Sequence, residues 1–482
     1  MTDGAARLLS KLISQPSLPI KTRQVLEAAY GRLISRDPSE AWTSGQWMTE
    51  RAGGSDVSGT ETQAAYHPTS SSLSSTTGID GAELGPWLIS GFKWFSSATD
   101  SSMTVLLART PKGVSAFYAP MRCIVSGSDT CSTLQETELN GVTIQRLKSK
   151  LGTRPLPTAE LELKGMRAYL LGEEGKGVKE IATVLNITRV HNAVTAVGLW
   201  GRGLAISRAF ARVREASGKL LAEVPAHVRT MATQHVNYRA NMHLTFFIVA
   251  LLGLSEQPTT SPTSGYSVLL MLSSRGAAEL LLRVLTPVAK ALTAKAAIAG
   301  LAECMESLGG VGYLENEDMM FNIARLFRDA NVLSIWEGTT DIMADDMVKV
   351  LKRKSGRRVM AILSEWVEMT VGSLAGSKSM MQEETGKITG AWKIWVRDIE
   401  YSTAEELNVR GREVMTRLGW IICAILLVTD AYKDDDAASM EVARRWVRSI
   451  GPEQGAEGCW EDAVRWDRTI VFGRASRELA RL

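Results

Sequence analysis

Three pieces of sequence stand in order near the middle of the chain: Leu308-Gly309-Gly310-Val311-Gly312-Tyr313, then Arg328-Asp329-Ala330, then Ile335-Trp336-Glu337-Gly338-Thr339-Thr340-Asp341-Ile342. Each alone has a plain reading as a turn, a charged surface pair, or a surface glutamate beside a helix start. Their order and spacing carry the information, and the rest of the sequence is read outward from them.

At 482 residues with 45% hydrophobic side chains, the chain supports two or three globular domains with large buried cores. The net charge of +3 is small against 55 basic and 52 acidic residues, so composition predicts no strong field for nucleic acid or anionic lipid. Arg444, Arg445 and Arg448 form a small basic cluster, diluted by Glu441, Glu453 and Glu457. The five cysteines, Cys123, Cys131, Cys304, Cys423 and Cys459, are scattered and lack CxxC spacing. That argues against a disulfide framework or a metal site and for a reducing compartment. The apolar tract Leu244 to Leu254 is shorter than the roughly 20 residues that span a bilayer, so it predicts a buried helix and no membrane span. No apolar run follows Met1, so no signal peptide is expected. The final Ala480-Arg481-Leu482 is small, basic and leucine, the pattern of a peroxisomal address.

Leu8, Leu9, Leu12 and Ile13 are spaced for one helical face, and short helices are expected up to about Ala41. Between about Gly45 and Gly165, Trp87-Leu88-Ile89, Thr104-Val105-Leu106-Leu107 and Ser115-Ala116-Phe117-Tyr118 are short runs bounded by Gly, Pro or Ser, which predicts strands. The Ser/Thr tract Thr69 to Thr77 predicts an exposed loop. From about Glu180 the period changes: Val190, Val194, Val197, Gly201 and Leu204 share a helix face, as do Val414, Leu418, Ile421, Ile425 and Val428. Lys352 to Arg358 reads as a solvated linker between two helical regions.

Met48-Thr49-Glu50-Arg51-Ala52-Gly53-Gly54-Ser55-Asp56-Val57 carries paired glycines that let a backbone approach a flat ligand, with hydroxyls and N–H groups able to bond carbonyl or phosphate oxygens. Together with Gly91-Phe92-Lys93-Trp94-Phe95-Ser96-Ser97, Lys150-Leu151-Gly152-Thr153-Arg154 and the pieces quoted first, this order resembles the acyl-CoA dehydrogenase family. Glu306 and Trp336, with Pro225, resemble the branch of alkylation-response acyl-CoA dehydrogenase-like proteins.

The resemblance implies an α+β, acyl-CoA dehydrogenase-like fold: a central β-barrel-like domain followed by an α-helical bundle and an extra C-terminal helical region. The implied domains are 1–44, a remnant of the N-terminal helical domain; 45–168, β-rich; 169–352, a flavin-binding bundle; and 353–482, a helical extension. Only 48 residues precede Thr49, so the helices that flank the acyl pocket in the family are expected to be abbreviated.

The implied activity is FAD-dependent introduction of an α,β double bond into an acyl-CoA. Glu337 would be the base, with Arg189 beside it. Met48, Thr49, Ser55, Phe95, Ser97, Arg214, Glu306, Gly309, Gly310 and Thr339 would meet the cofactor. Around Arg214, Ala216 and Ser217 depart from the family's Thr and Phe. Oxygen or an electron-transfer flavoprotein would take the electrons, and a homodimer or homotetramer is implied. The terminal tripeptide fits a peroxisome, with cytoplasm or mitochondrion as the alternative, and a specialised secondary-metabolite or toxin pathway would better tolerate the shortened N-terminus. Two other readings stay open: a flavin-dependent monooxygenase of the same fold, which has no need of Glu337, and a non-catalytic flavoprotein with weak DNA binding.

Overall fold

A computed structural model describes residues 1–68, 77–78, 82–125, 136–256, 275–315, 320–375, 381–449 and 460–473. Most of the Ser/Thr tract, Cys131, Cys459 and the terminal tripeptide lie outside the described residues. The chain forms two compact units, Met1–Thr188 and Arg189–Leu482.

The first unit opens with two helices, α1 (Thr2–Ile13) and α2 (Ile20–Ile34). Strands β1 (Ser44–Trp47), β2 (Gln63–Tyr66), β3 (Trp87–Ser97), β4 (Met103–Thr110) and β5 (Gly113–Pro120) follow. A small ribbon of β6 (Arg122–Ile124) and β7 (Thr137–Leu139) precedes β8 (Val142–Leu147) and β9 (Thr158–Leu171). The sheet closes on itself through β3, β9, β5 and β4. The gap between β3 and β4 is filled end to end by β1 and β2, each pairing with both neighbours. Closure removes exposed edges, and β8 covers the remaining stretch of β9.

Alternation along β4 and β5 explains the runs noted in the sequence. Leu106, Ala108, Phe117 and Ala119 face the barrel interior with Trp47, Ile89, Leu161 and Met166. Met103, Val105, Leu107, Ala116 and Tyr118 face outward and meet Leu8, Leu9, Leu12, Leu26 and Ala29 of α1 and α2. Both faces are buried, so these strands read as continuous apolar segments instead of alternating ones.

The second unit is helical. The long helix α3 (Gly177–Ala211) enters it, followed by α4 (Pro225–Glu256), α5 (Arg275–Glu306), α6 (Ile323–Asn331) and α7 (Thr340–Lys352). Then come α8 (Gly356–Ala375), α9 (Gln382–Tyr401), the short α10 (Ala404–Val409), α11 (Gly411–Asp434), α12 (Ala437–Arg448) and α13 (Trp460–Phe472). The Lys352–Arg358 stretch spans the turn between α7 and α8, and helices on either side of it enter one core containing Val236, Leu285, Met347, Trp366, Trp395, Ile421, Val442 and Ile470. Helices α5 and α11 are long and apolar enough to cross a bilayer, yet most of each is buried within the protein, as core helices are. Trp200 of α3 packs on α5 at Gly300, where an added Cβ would stand 2.2 Å from the indole. Of the basic cluster, Arg444 meets Glu384, and Arg445 is shared between Glu441 and Asp467, so these charges are spent within the fold.

Inside the first unit lies a buried ion pair. Lys93 has no exposure and donates at 2.6 Å to Glu50 and at 2.8 Å to the Leu107 carbonyl. The Glu50 carboxylate also accepts from the Glu61 N–H at 2.6 Å and the Thr62 hydroxyl at 2.6 Å. Burial opposes both charges. At Glu50 the ammonium and the neighbouring donors outweigh it and hold the carboxyl below the usual range, whereas at Lys93 burial wins and weakens the ammonium's hold on its proton. Lys93→Met would leave a buried carboxylate uncompensated, and urea unfolding should show a loss of about 3–5 kcal/mol. The double variant E50Q/K93M should lose less than K93M alone; equal or greater loss would contradict the pairing.

Candidate active site

The centre of the second unit is the loop between α6 and α7. A 3-10 turn, Val332–Ser334, leads to Trp336 and Glu337. Glu337 takes φ +59°, a left-handed conformation that non-glycine residues adopt at a cost, and Gly338 follows at φ +106°. The φ of Gly338 is what requires glycine there; a Cβ would also stand 2.4 Å from Met343 Cε, the movable end of that side chain. Thr339 then occupies the N-cap position of α7 and is exposed.

Three helices hold this loop. Arg189 of α3 donates from Nε to the Glu337 carbonyl at 3.1 Å and from Nη1 to Asp346 of α7 at 2.9 Å. Arg283 of α5 adds a second guanidinium to Asp346, at 2.5 and 3.1 Å. One and a half to two turns further along α5, Lys290 has no exposure and donates to the Gly338 carbonyl at 2.5 Å. Asn192, three residues after Arg189 and on the same helix face, accepts from the Trp336 indole at 2.5 Å and donates to the Leu333 carbonyl at 3.2 Å.

The electrostatics follow from this crowding. Burial pushes against the charge of Asp346, but Arg283 and Arg189 outweigh it and hold its carboxyl below the usual range. Burial lowers the Lys290 ammonium from its ordinary value to about 8, with the Glu337 carboxylate supporting its charge and Arg189 opposing it. Glu337 itself is half-buried.

The other residues singled out in the sequence fall into two sets. In the first unit, Met48 is buried against the N-terminal helices, and the Thr49 carbonyl accepts from Trp94 N–H at 3.0 Å. Glu50 and Gly53 exchange two backbone hydrogen bonds, of 3.0 and 3.2 Å, closing a tight turn that leaves Ser55 exposed. Phe95 is 42% exposed and so is not a core residue of its unit, and Ser97 shares a 3.0 Å hydrogen bond with Thr158.

In the second unit, Arg214 is exposed just before a two-residue hairpin whose turn residues, Ser217 and Gly218, both have positive φ. That hairpin occupies the place where the sequence departs from Thr-Phe. Glu306 ends α5 and is exposed, and Gly309 and Gly310 follow in a 3-10 turn. A Cβ at Gly312 would strike the Met305 carbonyl at 2.1 Å, so that glycine serves the chain's own packing. A Cβ at Gly310 would meet nothing within the chain, and its φ is not positive, so neither packing nor backbone angle within the chain requires that glycine. Arg328, by contrast, is bound to Glu315 and ties the end of the Gly-rich turn to α6.

The hydroxyls and accessible aromatic face of the first unit, and separately the exposed backbone and arginine fork of the second, are groups whose chemistry suits a dinucleotide with a flat ring system. Sequence reading missed Lys290, Arg283, Asp346 and Asn192. One signal was present: in Thr286-Pro287-Val288-Ala289-Lys290-Ala291-Leu292 a lysine interrupts an apolar helical face.

Comparison with known proteins agrees with this geometry. Residues 45–166 match the family description "Acyl-CoA dehydrogenase, middle domain" and residues 175–352 match "Acyl-CoA dehydrogenase, C-terminal domain". Acyl-CoA dehydrogenase family member 11 of Caenorhabditis elegans is 32% identical over 98% of this chain and 72% of its own length. The putative acyl-CoA dehydrogenase AidB of Escherichia coli is 29% identical over 76% of this chain and 58% of its own length. The crystal structure of Caenorhabditis elegans ACDH-11 in complex with C11-CoA superposes with a TM-score of 0.77 at 31% identity, covering 98% of this chain and 75% of that one. The chain belongs to the acyl-CoA dehydrogenase family, oxidoreductases acting on CH–CH groups.

Proposed function

We propose that this protein binds FAD and desaturates an acyl-CoA thioester between its α and β carbons, with Glu337 as the base. The observation that carries this reading is the left-handed glutamate whose backbone carbonyl is fixed by Arg189 and whose neighbouring carbonyl is fixed by Lys290. A strained backbone whose carbonyls are held by cations from two helices preorganises the glutamate at its centre.

A C–H bond beside a thioester carbonyl is a weak acid, so a base must be held at it while donors receive the charge developing on the carbonyl oxygen. Glu337 takes the α proton on its carboxylate, and its own backbone N–H is suited to receive the enolate oxygen. FAD, when bound, accepts the β hydride. Desolvation of Glu337 by the acyl chain raises its affinity for the α proton. In the first unit, Thr49, Ser55, Phe95, Ser97 and the Met48 backbone are the groups toward the cofactor. In the second they are Arg214, Glu306, Gly309, Gly310 and Thr339. The C11-CoA bound to the nematode relative supports an acyl-CoA as the substrate class. Either oxygen or an electron-transfer flavoprotein completes the cycle.

Purified protein should carry an oxidised flavin spectrum that bleaches anaerobically with an acyl-CoA. Glu337→Gln should keep the flavin and bleach about 10²- to 10⁴-fold more slowly. Unchanged bleaching would defeat the base assignment and favour oxygen chemistry at the flavin. Arg214→Ala should bind flavin roughly tenfold or more weakly in gel filtration and fluorescence titration, because a charged hydrogen bond contributes about 1.5–3 kcal/mol. Undiminished flavin affinity would remove Arg214 from the cofactor site.

A further inference from the structure

A lysine with no exposure in the middle of a core helix needs a reason, because burying an ammonium costs several kcal/mol unless it is paired. Lys290 sits on α5 among Thr286, Val288, Ala289, Ala291, Thr293 and Ala294, all buried. Its Nζ bonds the Gly338 carbonyl, one peptide beyond Glu337, and is close enough to the Glu337 carboxylate for the two charges to attract. The flanking charges are Arg189 of α3, Arg283 of the same helix, and Asp346 of α7, which takes up both guanidiniums. The Lys290 ammonium lies where its charge and that of the Glu337 carboxylate support each other.

We infer that Lys290 is a positioning residue for the base. By holding the Gly338 carbonyl it fixes the peptide that leaves the positive-φ pair Glu337-Gly338, and its charge keeps the Glu337 carboxylate ionised when an acyl chain displaces water. Arg189 fixes the preceding carbonyl, so the two consecutive carbonyls are clasped by cations from two helices. A neutral side chain of the same length would leave the turn free to relax and would let desolvation protonate the base before it acts. Lys290 exchanges no proton with substrate: the α proton moves to the Glu337 carboxylate, and the ammonium keeps all of its own.

This inference rests on the desaturase reading, and the test separates the two. Wild type, Lys290→Met and Glu337→Gln are compared for flavin content, acyl-CoA affinity by flavin spectral perturbation, and the rate of anaerobic flavin reduction across pH. Lys290→Met should keep flavin and acyl-CoA affinity within about twofold. Its reduction should be roughly 10- to 100-fold slower at neutral pH, as expected when a reacting group is slightly misplaced. The ionisation limb of the base should move up by about one pH unit, since a nearby cation lowers a carboxyl's proton affinity by that order.

A second readout needs no substrate. The Lys290 ammonium titrates near 8 in the folded protein against 10.5 ordinarily. Between those values the unfolded chain holds the extra proton, so wild type should gain stability with rising pH relative to Lys290→Met. If wild type is reduced and Lys290→Met is reduced at the same rate with the same pH profile, the inference fails while the desaturase reading stands. It also fails if the stability difference is flat across that pH window, or if flavin content falls in step with rate. Should Lys290→Met not fold, Lys290→Ala with added methylammonium replaces it: recovery of rate supports the inference and no recovery overturns it. Failure of wild type to bleach with any acyl-CoA overturns both.

Discussion

A glutamate at positive φ is the constraint around which the second unit is arranged. Such a backbone costs on the order of 1–3 kcal/mol, and it persists when surrounding contacts leave the chain no alternative. Here the contacts are two cations on two carbonyls and an asparagine that fixes the preceding tryptophan, with a glycine following whose positive φ other residues rarely adopt. Helices α3, α5 and α7 each supply one part, so the packing of the helical core and the geometry of the loop are a single requirement. The cations are held in turn: Asp346 pairs with both Arg189 and Arg283 and offsets part of the repulsion among them and Lys290.

The first unit shows the same economy in a different role. Its Thr49-Glu50 pair stands at the start of a motif suited to a flavin, yet Glu50 faces inward and binds Lys93 within the barrel. That ion pair anchors the turn that presents Gly54 and Ser55, so one half of the motif builds the platform and the other half faces outward. Beside it, Arg51 and Lys148 both lie over the Trp94 ring, at 4.7 and 3.1 Å, and both approach Glu160. These contacts stiffen the strand that carries Phe95 and Ser97.

Much of this was legible in the sequence because it depends on local order. Glu337-Gly338-Thr339, the glycine turn and the strand runs are contiguous, and their periods declare helix or strand directly. The change from strand to helix period near residue 180 coincides with the start of α3, and the Val414 to Val428 stripe is buried throughout. What was not legible depends on neighbours distant in the chain. Lys290 meets Gly338 across 48 residues and Arg189 meets Asp346 across 157, so no spacing rule connects them. Glu50 was read as part of a ligand motif, although 43 residues away its partner Lys93 makes it structural. The closure of the barrel, through β3 against β9, likewise belongs to the fold and not to any segment.

The proposed chemistry uses a carboxylate on a strained turn whose two successive backbone carbonyls are held by cations from two helices. Anaerobic reaction of the purified flavoprotein with an acyl-CoA deuterated at both α and β carbons tests this most directly. The account predicts one enoyl-CoA for each flavin reduced, with one α deuterium released to solvent water and one β deuterium transferred to the flavin. Reduction without enoyl-CoA, or an oxygenated product when air is admitted, would contradict it.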